Sequence, residues 1–417
     1  MHVEYFKIKE TKQTKSFGQK ILSNIAQSRG ATLQKFSQLF DNTENRTLKL
    51  DQEYSKKILE KLSQVSPSLY KEIRAISENF YQGSIGNIHC AKLNNGSKIA
   101  IKTTREDIEE KLFKDINNIK EVTSLTSRFV NGEKFKDLDS FANQFVSSIR
   151  EECSFLTEIK NYDQLSKIFD SFEVLTLPQL YKKYSNDNVI VFDWVDATDE
   201  LESLSSKNIE FREKLQYELN ALFLKFPLVH GLCYEDSNLS NYLLADKKLF
   251  LIDYGKLTFI PLKTRLAIVK IIDELLNNGD ASFIDLYNQM GFNKEVLSPA
   301  SHILRDISKI LLAPFLCETK FDLRTWEPTQ KIDNIAHNLK WNIRSSAPYQ
   351  YFSMTRSFFG YLKLSKMINA KTNNFPTTKE LLHFYKDDIE TYIVNKERPP
   401  KLSVYEYHGD QGWIRKG

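Results

Sequence analysis

Residues 238–256 read NLSNYLLADKKLFLIDYGK: an asparagine, a short apolar strand, a turn, a second apolar strand, then Asp-Tyr-Gly. Two such runs joined by a tight turn make a hairpin that must bury its apolar side chains. A hairpin also brings its open ends together, which sets Asn241 against Asp253. A packed core has no use for a carboxylate or an amide unless each finds a partner. Two oxygen donors facing each other are what a hard cation such as magnesium takes. This segment therefore restricts the chain to folds that present a buried hairpin with a polar, metal-competent end.

The rest of the chain is organised around that hairpin. In residues 17–75 the runs ILSNIAQ, LQKFSQLF and YSKKILEKLSQV place apolar residues three or four apart and read as helices. At residue 79 the period changes. NFYQGSIGNIHCAKLNNGSKIAIKT holds two β-rich runs around the Asn94-Asn95-Gly96 turn, predicting a hairpin of Gly83–Cys90 with Lys98–Thr103. Residues 105–170 return to helix, VLTLPQLYKKYSNDNVIVFDWVDA gives further short strands, and 198–230 is helical. Beyond residue 258 the pattern is helical throughout, punctuated by Pro261, Pro299, Pro314 and Pro348. This predicts an α+β fold, bilobal and protein-kinase-like. A helical extension would span 1–75, a small β-containing N-lobe with inserted helices 76–195, and a mainly helical C-lobe 196–417.

Phosphoryl transfer needs few parts: a lysine on the phosphates, a carboxylate near the acceptor hydroxyl, and oxygen ligands for magnesium. Lys102 lies in IAIKT, on the strand that follows the Asn-Gly turn. Asp236 precedes Asn241 by five residues, the D-x-x-x-x-N spacing of a kinase catalytic loop, and Asp253 opens a D-Y-G in place of D-F-G. Each piece alone has a plain alternative: a strand lysine is usually solvated, and Asp-Tyr-Gly is often only a turn. Their order carries the signal. The reading assigns Lys102 and Asp236 to catalysis, Asn241 and Asp253 to the metal, and the backbone of Ser84, Ile85 and Gly86 to the phosphates. The bland reading of that loop is a tight turn permitted by Gly83 and Gly86. His89 reads as a packed strand histidine and His230 as structural.

The motifs resemble those of the UbiB family of atypical kinases, also called the aarF-domain or ADCK family, over nearly the whole chain. GSIGNIHCAKLNNGSKIAIK is similar to that family's A-A-A-S-I-G-Q-V-H loop and V-A-V-K strand. GATLQKFSQLF resembles its N-terminal K-x-G-Q motif, keeping Lys35 and Gln38 with Ser37 for glycine. EECSFLTEIKNYDQL resembles its E-x-D helix, which matches Glu152 to the motif glutamate and Glu158 to the partner of Lys102. YEDSNLSNYLL resembles H-x-D-x-H-P-G-N, and VIVFDWVDA falls at the hinge, where Phe192 and Val195 would border the nucleotide. Four departures stand out: Tyr81-Gln82-Gly83 replaces the alanine run, Ser154 replaces an aspartate, and Tyr234 and Asn238 replace two histidines.

The resemblance implies ATP and magnesium as cofactors, with hydrolysis or phosphorylation of a small or lipid-related molecule favoured over protein substrates. Two other classes stay open: a nucleotide-sensing pseudokinase that regulates protein partners, and a small-molecule kinase of the aminoglycoside or choline type. The K-x-x-Q segment argues against the last. Composition narrows the rest. A net charge of +4, from 58 basic and 54 acidic residues, argues against a nucleic-acid partner. Four dispersed cysteines form no CxxC pair and suit a reducing compartment. The lysine-rich first residues lack the apolar core of a secretory signal, and no apolar run of ~18 residues predicts a spanning helix. A cytoplasmic protein is expected, with peripheral membrane contact a minority reading of the basic N-terminus.

Overall fold

In the computed structural model, which describes residues 4–6, 46–49, 52–82, 86–104, 155–236, 238–386, 404–407 and 413–416, the chain divides into two units. The first gathers residues 1–219, 234–258 and 353–370; the second holds 220–233, 259–352 and 371–417. The strands that concern the site are β1 (Glu4–Phe6), β2 (Arg46–Lys49), β3 (Ile73–Gln82), β4 (Gly86–Leu93) and β5 (Lys98–Thr104). They continue with β6 (Leu175–Thr176), β7 (Val189–Asp193), β8 (Leu232–Tyr234), β9 (Tyr242–Ala245) and β10 (Lys248–Leu251). The helices are α1 (Gln52–Val65), α2 (Pro67–Glu72), α3 (Phe155–Phe169) and α4 (Ile209–Asn220).

The first unit is built on a sheet of order β1-β3-β4-β5-β7, with β2 also paired to β3. Successive side chains on a strand point to opposite faces. Ile99 and Ile101 therefore share one face, where they join Ile58 and Leu62 of α1, Leu69 of α2, and Val189 and Val191 in a continuous apolar core. Lys102, one residue out of phase, is sent to the other face. The β4–β5 turn is the expected one: Gly96 takes φ +89° and Asn95 Oδ1 accepts from the Ser97 N–H at 2.9 Å.

A second, three-stranded sheet of order β6-β10-β9 contains the hairpin that opened the sequence reading. Its turn residues, Asp246 and Lys247, both adopt positive φ (49° and 63°), the primed geometry that matches strand twist. Tyr242 pairs with Leu251, and the Ile252 N–H donates to the Asn241 carbonyl at 2.9 Å, so Asn241 and Asp253 do lie at one end. Strand β6 is held by Glu218 of α4, whose carboxylate accepts from the backbone N–H groups of Glu173, Val174 and Leu175. That carboxylate is buried but saturated.

Several stretches differ from the sequence reading. Residues 46–49 and 73–75, read as part of a helical segment, are strand. The β3–β4 ladder shifts register between Ile73 and Ala75 and again between Ile76 and Phe80, which breaks the alternation that would have announced a strand. The β4 strand runs Gly86–Leu93, later than expected. Beyond residue 258 the second unit is mostly helical, packing Ile271, Leu275, Phe283, Leu286 and Leu304 into its own core. It also contains an antiparallel strand pair, Val404–Tyr407 with Trp413–Lys416, that no periodicity had indicated.

Candidate active site

Lys102 projects from β5 beneath α3, and its Nζ meets both carboxylate oxygens of Glu158 at 2.8 Å. Glu158 is 1% exposed and Lys102 is 9% exposed. The Asp253 carboxylate stands 3.9 Å from the same Nζ, and the Phe155 ring centroid 5.7 Å away. Burial disfavours the ammonium charge, but Asp253 and then Glu158 outweigh it and hold the lysine pKa above its ordinary value. The lysine is thus a fixed, permanent cation.

Helix α3 does more than carry Glu158. Asn161, one turn on and on the same face, donates to the Tyr254 carbonyl at 2.8 Å. Tyr162, at the next position, packs its ring against Tyr254 (5.2 Å) and Phe192 (5.8 Å). Burial raises the Glu158 pKa above the usual carboxylate range, opposed by the Lys102 charge and by a hydrogen bond from the Tyr254 backbone.

On the hairpin side, Asn238 caps the short turn Leu239–Asn241 by accepting from the Ser240 N–H. Asn241 Nδ2 donates to the Asp236 carbonyl at 3.0 Å and to the Tyr234 hydroxyl at 3.4 Å, which leaves its Oδ1 as an acceptor. Asp253 Oδ1 accepts from the Gly255 N–H at 2.8 Å. Burial, then the negative charge of Asp253, raise the Asp236 pKa above the usual carboxylate range, opposed by Asn241 and Arg356. Crowded carboxylates beside an amide oxygen form a hard, anionic donor set. Magnesium suits that set.

Gly86 faces the Thr103 carbonyl so closely that a Cβ there would come within 2.8 Å of it and 3.5 Å of Lys102 Cγ. Gly86→Ala is expected to push β4 off β5 beside the lysine, at roughly 1–3 kcal/mol of overpacking. Urea unfolding reads that cost; a wild-type midpoint would mean that the strands shift freely.

Phe192 is buried, its ring also 5.3 Å from Tyr254, and Val195 is half-buried just past β7. Ser84, Ile85, Glu152, Lys35 and Gln38 lie outside the described residues. His89 is fully buried and stacked on Phe80, with burial lowering its pKa to about 3, as a packed histidine should be. His230 belongs to the second unit, where burial lowers it to about 4.

Four residues near the site escaped sequence reasoning: Asn161, Tyr234, Lys256 and Arg356. Only Asn161 gave a local signal, its place three residues after Glu158 on a helix. Lys256 is lowered to about 7 by burial and by Arg356, which comes from a helix a hundred residues further on.

Comparison with known proteins bears on the family and the fold. A family model described as the ABC1 atypical kinase-like domain matches residues 44–286. An uncharacterized protein of Synechocystis, slr0889, is 29% identical over 209 residues, covering 47% of this chain and 51% of that one. Mitochondrial atypical kinase COQ8B of Danio rerio is 22% identical over 309 residues, covering 72% and 48%. AarF domain-containing protein kinase 1 of Xenopus laevis is 23% identical over 238 residues, covering 54% and 45%. These relatives bear out the resemblance seen in the motifs. The chain spans about a third to a half of the length of the first curated relatives it matches. Among solved structures, that of Rv3197 in complex with erythromycin, from Mycobacterium tuberculosis, aligns with a TM-score of 0.52 at 14% identity. It covers 78% of this chain and 82% of that one, a likeness of fold.

Proposed function

Because this chain belongs to the ABC1 atypical kinase-like family, we propose that it binds ATP with magnesium and transfers or hydrolyses the terminal phosphoryl group. The observation that carries this reading is the buried Lys102–Glu158 pair with Asp253 beside it. Lys102 would hold the phosphates, with Glu158 keeping its ammonium aimed. The Gly86 end of the small-residue loop would cover them. Asn241 and Asp253 would hold the magnesium, which supplies charge neutralisation on the phosphate oxygens when bound. Asp236 would orient the acceptor hydroxyl or take its proton.

The acceptor we favour is a small or lipid-related molecule. In this reading residues 1–75 form an extension whose Lys35 and Gln38 lie over the substrate side, leaving little room for a protein strand. Among the described residues no helix is long and apolar enough to cross a membrane, so a lipid-related acceptor would be reached from the surface.

A second reading, a nucleotide sensor without turnover, is favoured by Ser154, Tyr234 and Asn238 standing where the resembled motifs have an aspartate and two histidines. One experiment separates the two. Magnesium-ATP turnover is measured with and without an untargeted lipid and metabolite extract. Steady turnover, stimulated by a component of the extract and dependent on Asp236, is expected. Nucleotide binding with no turnover under any of these conditions would favour the sensor.

A further inference from the structure

The helix Tyr349–Ile368 carries Arg356, Lys363 and Lys366 and no acid, and the chain has no aspartate or glutamate anywhere between Asp333 and Glu380. Ser353, Ser357, Tyr361 and Ser365, each four residues from the next, form its buried face. Arg356 lies beside that face and is exposed. Its charge nevertheless reaches Asp236 and opposes the rise of that carboxyl. The helix therefore sets a cation near the group assigned to the acceptor.

A second cation arrives from the D-Y-G segment. Lys256 follows it directly, and its main-chain carbonyl accepts from the Glu235 N–H at 3.2 Å, which lays Lys256 alongside the residue that precedes Asp236. Its side chain is half-buried. Burial and the Arg356 charge both work against its ammonium form and lower it to about 7. Arg356 thus acts on Asp236 and Lys256 alike, and the three groups form one cluster. Two like charges held together away from full solvent repel, and an anion bound to both turns that repulsion into attraction. An arginine fork with a lysine point charge suits phosphate oxygens. Two positive charges also match a phosphate monoester, at about −1.5 to −2. A single carboxylate would leave one of them over.

We propose that Lys256 and Arg356 form an anion site beside Asp236, and that the acceptor is an alcohol carrying a phosphate of its own, free in solution or as a lipid headgroup. Its role as acceptor rests on the phosphoryl-transfer reading above. In that reaction the alcohol oxygen takes the terminal phosphoryl group of ATP, its proton passes to Asp236 and ADP is released. The phosphate already on the acceptor stays intact between the two cations.

Protection of Lys256 tests the site without any turnover. The full-length chain, free of nucleotide and metal, is exposed briefly to acetic anhydride at about pH 7. Acetylation of Lys256 and of Lys182, an exposed lysine paired with Asp163, is read by peptide mass spectrometry. Samples contain inorganic phosphate, phosphatidylcholine vesicles with phosphatidic acid, or phosphatidylcholine vesicles alone. Only the neutral amine reacts. A phosphate in contact raises such a lysine by about one pH unit or more, so the reactive fraction falls from about a half to about a tenth. Acetylation of Lys256 is expected to slow about fivefold with Lys182 unchanged. Protection should vanish in Arg356→Gln and return in Arg356→Lys, which keeps the charge.

Slowing by dissolved phosphate supports a soluble phosphate ester, and slowing only by the phosphatidic acid vesicles supports a headgroup. Slowing by neither, equal slowing by phosphatidylcholine alone, or protection that persists in Arg356→Gln would overturn the site. The component of the extract that stimulates turnover should be retained on an anion-exchange resin; one that passes through would overturn the phosphate on the acceptor. Wild-type turnover in Asp253→Asn would instead sink the phosphoryl-transfer reading, and the protection of Lys256 would still decide the anion site.

Discussion

Asp253→Asn is expected to remove magnesium-dependent nucleotide binding while the protein stays folded. The side chain Oδ1 is occupied by the Gly255 N–H, a bond that the amide oxygen of asparagine can keep. The shape is nearly unchanged, so packing around Tyr254 survives. What is lost is the charge. The Asp253 side chain is 35% exposed, so losing its charge costs on the order of 2 kcal/mol and ATP affinity in the presence of magnesium should fall by about 30-fold. Without magnesium the loss should be much smaller, since Lys102 keeps Glu158 at 2.8 Å. Titration calorimetry with and without the metal measures both. Equal affinity for magnesium-ATP in wild type and variant would remove Asp253 from the metal site.

Asp236→Asn is expected to give the opposite pattern. Nucleotide still binds, because Asn241 stays tied to the Asp236 main-chain carbonyl when the carboxylate is replaced. Turnover should fall by roughly 10²–10⁴, the usual contribution of a positioned acid or base. The variant also relieves the crowding of two carboxylates, so the urea midpoint should hold or rise slightly. Undiminished turnover would leave Asp236 a structural residue and favour the sensor.

The placement of these two aspartates was legible in the sequence because both lie in short motifs with local geometry. D-x-x-x-x-N is a loop whose ends are tied by one side chain, and the hairpin from Tyr242 to Leu251 is set by a tight turn. Lys102 was legible for the same reason, one strand after an Asn-Gly turn. The Lys102–Glu158 pair spans 56 residues and was visible only through the family resemblance. Strand β3 was missed because two register shifts erase its alternation. The final hairpin was missed because each of its strands is four residues long, too short for alternation to stand out. Tyr234 looked like a loss, a histidine gone, and nothing local could show that its hydroxyl reaches the Asp253 carbonyl. Arg356 belongs to a distant helix, beyond the reach of any spacing argument.

Helix α3 has a mechanical consequence. Glu158 and Asn161 sit about 4.5 Å apart along one rigid rod. The first grips the lysine of the sheet, and the second grips the backbone of the D-Y-G segment. A rigid-body shift of the helix that parted Glu158 from Lys102 would therefore strain the Asn161–Tyr254 bond as well, so the lysine and the D-Y-G backbone share one mechanical support.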